Sequence, residues 1–114
     1  MMHLVFEAKK VTYIEALGGD IVQISFEKEI TSDPINNPTL CLNISVNHEF
    51  PPFMPEVEWF DGNEYDGGET IKSLKIDPKS LQVVLNNDIS FDISFQIAGS
   101  KYKKIESFLL TATE

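Results

Sequence analysis

The chain has no arginine, a single cysteine and a single tryptophan. Arginine supplies the planar fork that reads phosphates and guanine bidentately, so its absence weighs against nucleic-acid binding. All nine basic residues are lysines, and they face 18 carboxylates for a formal net charge of -9. A surface of that sign repels a phosphate backbone and attracts basic partners. With Cys41 alone, a disulfide within the chain is impossible and a reducing compartment is the expectation.

Long apolar runs are missing too. None approaches the ~20 residues that a membrane-spanning helix needs. Near the start only Leu4, Val5 and Phe6 run together before Glu7, and the lysine pair follows them instead of preceding them, which does not fit a signal-peptide core. The expectation is a cytoplasmic protein with no membrane partner. Asn43-Ile44-Ser45 forms a glycosylation sequon, but it sits inside a strand pattern and nothing else implies secretion. At 114 residues and 42% hydrophobic content, the chain reads as one globular domain, 1–114.

Catalytic signatures are equally scarce. There is no G-x-S-x-G elbow and no glycine-rich phosphate loop before a helix. A zinc site has only His3, His48 and Cys41 to draw on, and positions 41 and 48 have opposite parity on a strand. A calcium loop beginning at Asp61 would place Tyr65 fifth, Asp66 sixth and Lys72 twelfth, where an oxygen ligand, glycine and glutamate are required. Glu56 and Glu58 share a strand face, as paired carboxylates of a glycosidase would, but such pairs are more often an exposed edge. The reading is no enzyme, no metal and no cofactor.

Much of the remaining chain alternates. Residues 3–17 read as extended, Gly18-Gly19-Asp20 as a hairpin turn, and 21–26 as the returning strand. Residues 31–38 and 50–55, rich in proline and asparagine, read as loops. Between them, Leu40, Leu42, Ile44 and Val46 point one way while Cys41, Asn43, Ser45 and Asn47 point the other. A hairpin turning at Asp77-Pro78-Lys79-Ser80 follows, then a turn at Asn86-Asn87-Asp88 and nine alternating residues from Ile89. These last read as a central strand. From Ser100, taken as N-cap, the period becomes helical, with Tyr102, Ile105, Phe108, Leu109 and Ala112 on one stripe. The fold class is therefore α+β and mostly β: an antiparallel sheet of about seven or eight strands with one C-terminal helix packed on it.

Residues 56–70, EVEWFDGNEYDGGET, stand apart. They hold six carboxylates, no lysine and the sole tryptophan, and read as a strand followed by turns at 61–63 and 66–68. Aromatics beside charges are what protein interfaces use, the rings supplying area and the acids steering a basic partner. The competing reading puts Trp59 and Val57 in the core and leaves the acids as solvated turn residues.

The order of parts from Val57 onward resembles the polymorphic-toxin immunity proteins of the tenth immunity family. The likeness lies in an acidic-aromatic strand (Val57, Glu58, Trp59), Asp61, a Tyr-x-Gly-Gly turn (Tyr65, Gly67, Gly68), a strand–turn–strand with Leu74, Leu81, Val83 and Leu85, an alternating strand and a short terminal helix. It covers about half the chain. The resemblance implies a bacterial cytoplasmic protein without catalysis that binds and neutralises one cognate, basic toxin domain. The contact residues expected on that basis are Glu58, Asp61, Glu64, Tyr65 and Asp66, with Trp59 among them if it is exposed. The alternatives are a carbohydrate- or ligand-binding β-domain, with Trp59 and Tyr65 stacked on a sugar, or an accessory structural domain.

Overall fold

The computed structural model describes residues 2–30, 33, 39–49 and 54–112. Most of the two loops read at 31–38 and 50–55 therefore lies outside the described residues. Among the described residues there are nine strands and one α-helix. The strands are β1 (His3–Ala8), β2 (Lys10–Ala16), β3 (Ile21–Glu27), β4 (Cys41–Asn47), β5 (Glu56–Phe60), β6 (Tyr65–Glu69), β7 (Ile71–Asp77), β8 (Ser80–Leu85) and β9 (Ser90–Phe95), and the helix is α1 (Gly99–Ala112).

The protein is mostly β with a C-terminal helix, but its strands form two sheets. One has the order β1-β9-β8-β7 and the other β2-β3-β4-β5-β6. The expected single sheet of seven or eight strands is thus corrected to sheets of four and five. The expected antiparallel pairing is corrected at one place, because β1 runs parallel to β9. The physical reason is that the chain changes sheets twice without a loop. Lys9 alone separates β1 from β2, and Thr70 alone separates β6 from β7. Alternation continues through such bends, so residues 3–17 look like one extended run although they serve both sheets.

Irregularity in the ladders accompanies the second bend. Glu58 pairs with Gly67 but Val57 pairs with Glu69, leaving Gly68 as an extra residue. Its φ of 82° is one that glycine adopts without a Cβ penalty. On β7, Ile71 pairs with Leu85 and Ser73 with Val84, leaving Lys72 unpaired. Residues 66–68, read from sequence as a turn, therefore belong to a bulged strand.

The alternating apolar sets meet between the sheets. Trp59 on β5 packs on Phe91 of β9 with ring centroids 5.8 Å apart, and Phe26 on β3 packs on Phe95 at 5.7 Å. Ile24, Leu42, Ile44, Val57, Leu81, Val83 and Ile93 fill the space between and are fully buried. Burying each such side chain stabilises the fold by about 1.5–3 kcal/mol. β9 is an interior strand of its sheet, as its alternation suggests.

The helix adds Ile105 and Leu109 to this core, with Tyr102 and Phe108 half-buried beside them; the side chain of Ala112 lies outside the described residues. Phe108 meets Tyr13 of β2 edge-on at 6.4 Å, and Lys101 Nζ donates to the Val11 carbonyl at 2.9 Å. The start differs from expectation. Tyr102 N–H donates to the Ala98 carbonyl, so Ala98 stands where Ser100 was expected as N-cap.

Candidate functional site

The β5–β6 hairpin gathers the acidic stretch onto one corner of the molecule. Alternation on β5 turns Val57 and Trp59 inward and Glu58 outward. Trp59 is 1% exposed. Its place among the contact residues is thereby corrected: the indole belongs to the core, where its area is worth more against Phe91 than in water.

Glu58 lies in a row across the outer sheet face, with Asn43 of β4 on one side and Gly67 of β6 on the other. A Cβ built on Gly67 would stand 2.7 Å from Glu58 Cγ, so the Glu58 stem rests against the β6 backbone. Phe60 is on the same outward side yet buried, because Tyr65 stacks over it with centroids 4.6 Å apart. Tyr65 itself is 63% exposed.

The turn between the strands is built by Asp61. Its Oδ1 accepts the backbone N–H groups of Asn63 and Glu64, each at 2.8 Å. Those hydrogen bonds, from Glu64 first and Asn63 next, hold the Asp61 carboxyl below the usual carboxylate range. Asp77 does the same work in the β7–β8 turn, with the Lys79 N–H as the leading cause and the Ser80 hydroxyl second. Asp61 is committed to the turn before it can serve a partner. Asp66 Oδ1 accepts the N–H of Gly67 at 2.8 Å, and Asp66 and Glu64 are both exposed.

Glu58 and Tyr65 therefore share the outer face and Glu64 is exposed in the turn, whereas Asp66, paired with Trp59, lies on the opposite face of β6 at its exposed edge, and Trp59 is buried. A shallow cavity of about 390 Å³ opens among Asn43, Glu58, Tyr65, Asp66 and the glycine pair, with the buried Trp59 at its floor. Asn43 was not a candidate from sequence. Its outward parity was legible, but the β4–β5 register that sets it beside Glu58 was not. Among the described residues the ion pairs are Lys9–Glu7 and Lys72–Asp88, and neither involves a carboxylate of residues 56–70. The hairpin is thus an uncompensated negative corner.

Elsewhere, burial pushes the Cys41 thiol up, away from the reactive thiolate form. Among the described residues no group of three or more His, Cys, Asp or Glu side chains is placed to hold a metal ion. Among them, too, no helix is long and apolar enough to cross a membrane. What the geometry defines is a two-sheet β domain carrying an acidic hairpin with one exposed aromatic. No family model matches the chain, and neither a curated protein nor a solved structure matches it.

Proposed function

We propose that this protein is a cytoplasmic immunity protein that binds a basic toxin domain and neutralises it through the acidic β5–β6 hairpin. The observation that carries the reading is an exposed Tyr65 on a hairpin whose exposed acids, Glu58 on its own face, Glu64 in the turn and Asp66 at the edge, are paired with no lysine among the described residues. An exposed ring inside a field of one sign suits docking: the charge steers the encounter and the ring supplies buried area on contact. Steered association reaches ~10⁸–10⁹ M⁻¹s⁻¹ at low salt. The toxin identity of the partner comes from the resemblance in the order of parts, and the absence of a family match leaves it resting on that alone.

The experiment is co-expression with the C-terminal domain of a large multidomain toxin encoded immediately upstream. Restored growth and co-elution on a sizing column are the expected results; continued toxicity with no complex removes the reading.

The cavity beside Asn43, Glu58 and Tyr65 supports a second reading, a carbohydrate site with Tyr65 as its stacking platform. Trp59 contributes nothing to such a platform, being buried. Calorimetric titration with a panel of oligosaccharides separates the two, since an immunity protein releases no heat with any of them.

A further inference from the structure

Strand β6 is an edge. Among the described residues it pairs β5 on one side and nothing on the other. The bond that closes the hairpin runs from Asp61 N–H to the Glu64 carbonyl at 3.3 Å. Antiparallel ladders alternate between hydrogen-bonded and non-bonded pairs. Asp66 therefore directs its backbone groups toward β5, while Tyr65 and Gly67 direct theirs outward. The Gly67 N–H accordingly goes to the Asp66 carboxylate. Tyr65, Asp66, Gly67 and Gly68 are all exposed, and the bulge at Gly68 ends the regular run.

The other three edges differ from this one. The Val11 carbonyl of β2 already receives Lys101 Nζ from the helix. β7 bears exposed Lys72 and Lys75, the side chain that sheets place on edges against unwanted pairing. β1 ends beside both signs of charge, in the Glu7–Lys9 pair. β6 has no lysine, and among the described residues the Gly67 N–H is screened by the Asp66 carboxylate alone.

We infer that the edge at residues 65–67 accepts an extended, lysine- or arginine-bearing segment of the protein partner as a sixth strand of the five-stranded sheet. The inference rests on the partner-binding reading above and names its mode of contact. A carbonyl of the incoming strand takes over the Gly67 N–H. Asp66, released from it, meets a cationic side chain of the newcomer. A second copy of this chain is disfavoured as occupant, because β6 against β6 sets Glu64, Asp66 and Glu69 opposite like charges. The acids thus select the partner that the open backbone holds.

The test uses the intact protein and three peptides of about seven residues: alternating Lys and Val, the same peptide N-methylated on alternate backbone nitrogens, and a Glu–Val counterpart. Calorimetry gives affinity, and amide exchange by NMR gives location. The expected result is binding of the basic peptide with slowed exchange at Tyr65 and Gly67. N-methylation should cost about tenfold or more, since it removes backbone hydrogen bonds and keeps the charge, and the acidic peptide should not bind. Equal affinity of the N-methylated peptide, protection away from β6, or no binding of the basic peptide at millimolar concentration overturns edge pairing. The co-expression complex is read separately. A complex in which the Tyr65 and Gly67 amides still exchange freely overturns the added strand and leaves the immunity reading standing. Absence of a complex removes the immunity reading, and the peptides then decide the edge.

Discussion

Glu58 and Gly67 face each other across β5 and β6 so closely that a Cβ on the glycine would lie 2.7 Å from Glu58 Cγ and 3.2 Å from Glu58 Cβ. The obstructing atoms are near the backbone, so the glutamate cannot swing clear cheaply. Gly67→Ala should therefore destabilise the protein by about 1–3 kcal/mol, the usual cost of overpacking. Glu58→Ala removes the nearest obstructing atom, and in the double variant it should recover part of the loss. Urea denaturation of the four proteins measures the coupling; strictly additive effects would show that the two residues do not touch.

Trp59 is the second structural anchor of this hairpin. Its edge contact with Phe91 joins the two sheets, so Trp59→Ala should cost about 3–5 kcal/mol in urea unfolding. The same burial predicts a blue-shifted emission that resists acrylamide quenching and does not change when a partner binds. Strong quenching in the native state would return the indole to the surface.

Both of those residues illustrate what the sequence discloses and what it withholds. Period-two alternation marks each face of β4 and β9, and the change of period at the C-terminus marks the helix, because burial on one side leaves that imprint directly. Whether Trp59 faces core or solvent depends on which side of β5 meets the other sheet, and no local pattern encodes that. The sheet changes at Lys9 and Thr70 are silent because a bent strand keeps its alternation. Asn43 joins Glu58 only through register, a long-range property. The acidic cluster itself was legible, since it is local in sequence, whereas the backbone bonds that commit Asp61 to the turn appear only once the hairpin is folded.

That commitment of Asp61, and the parallel one of Asp77, has a pH signature. Both carboxyls are held below their ordinary value by backbone N–H donors in the folded state. A depressed folded pKa means that the ionised form favours folding. The contribution is present above the ordinary carboxylate pKa of about 3.9 and fades as pH falls through the lower folded value. Asp61→Asn and Asp77→Asn should each lower the thermal midpoint at pH 7. The gap from the unmodified protein should begin to narrow as pH falls below about 4 and close below the lower folded value, where the carboxyl that the substitution replaces is itself uncharged. A gap that persists unchanged to pH 2 would assign the effect to geometry instead of charge.

Exposed Glu64 and Asp66 make the opposite case. Among the described residues the Glu64 side chain accepts no backbone bond that closes the turn, and the Asp66 side chain bonds only the N–H of its own neighbour. Glu64→Lys with Asp66→Lys should leave the urea midpoint nearly unchanged while reversing the local field. Binding to the basic partner should then slow by about 10- to 10³-fold at low salt, with a smaller change in dissociation, because steering acts on encounter. Raising ionic strength should shrink the difference, since exposed charges are screened beyond about 8 Å at 0.15 M. Stopped-flow association at two salt concentrations provides the check. An unaltered association rate would place the partner's footprint away from this hairpin, whereas a collapse in stability would make these acids part of the fold, as Asp61 is.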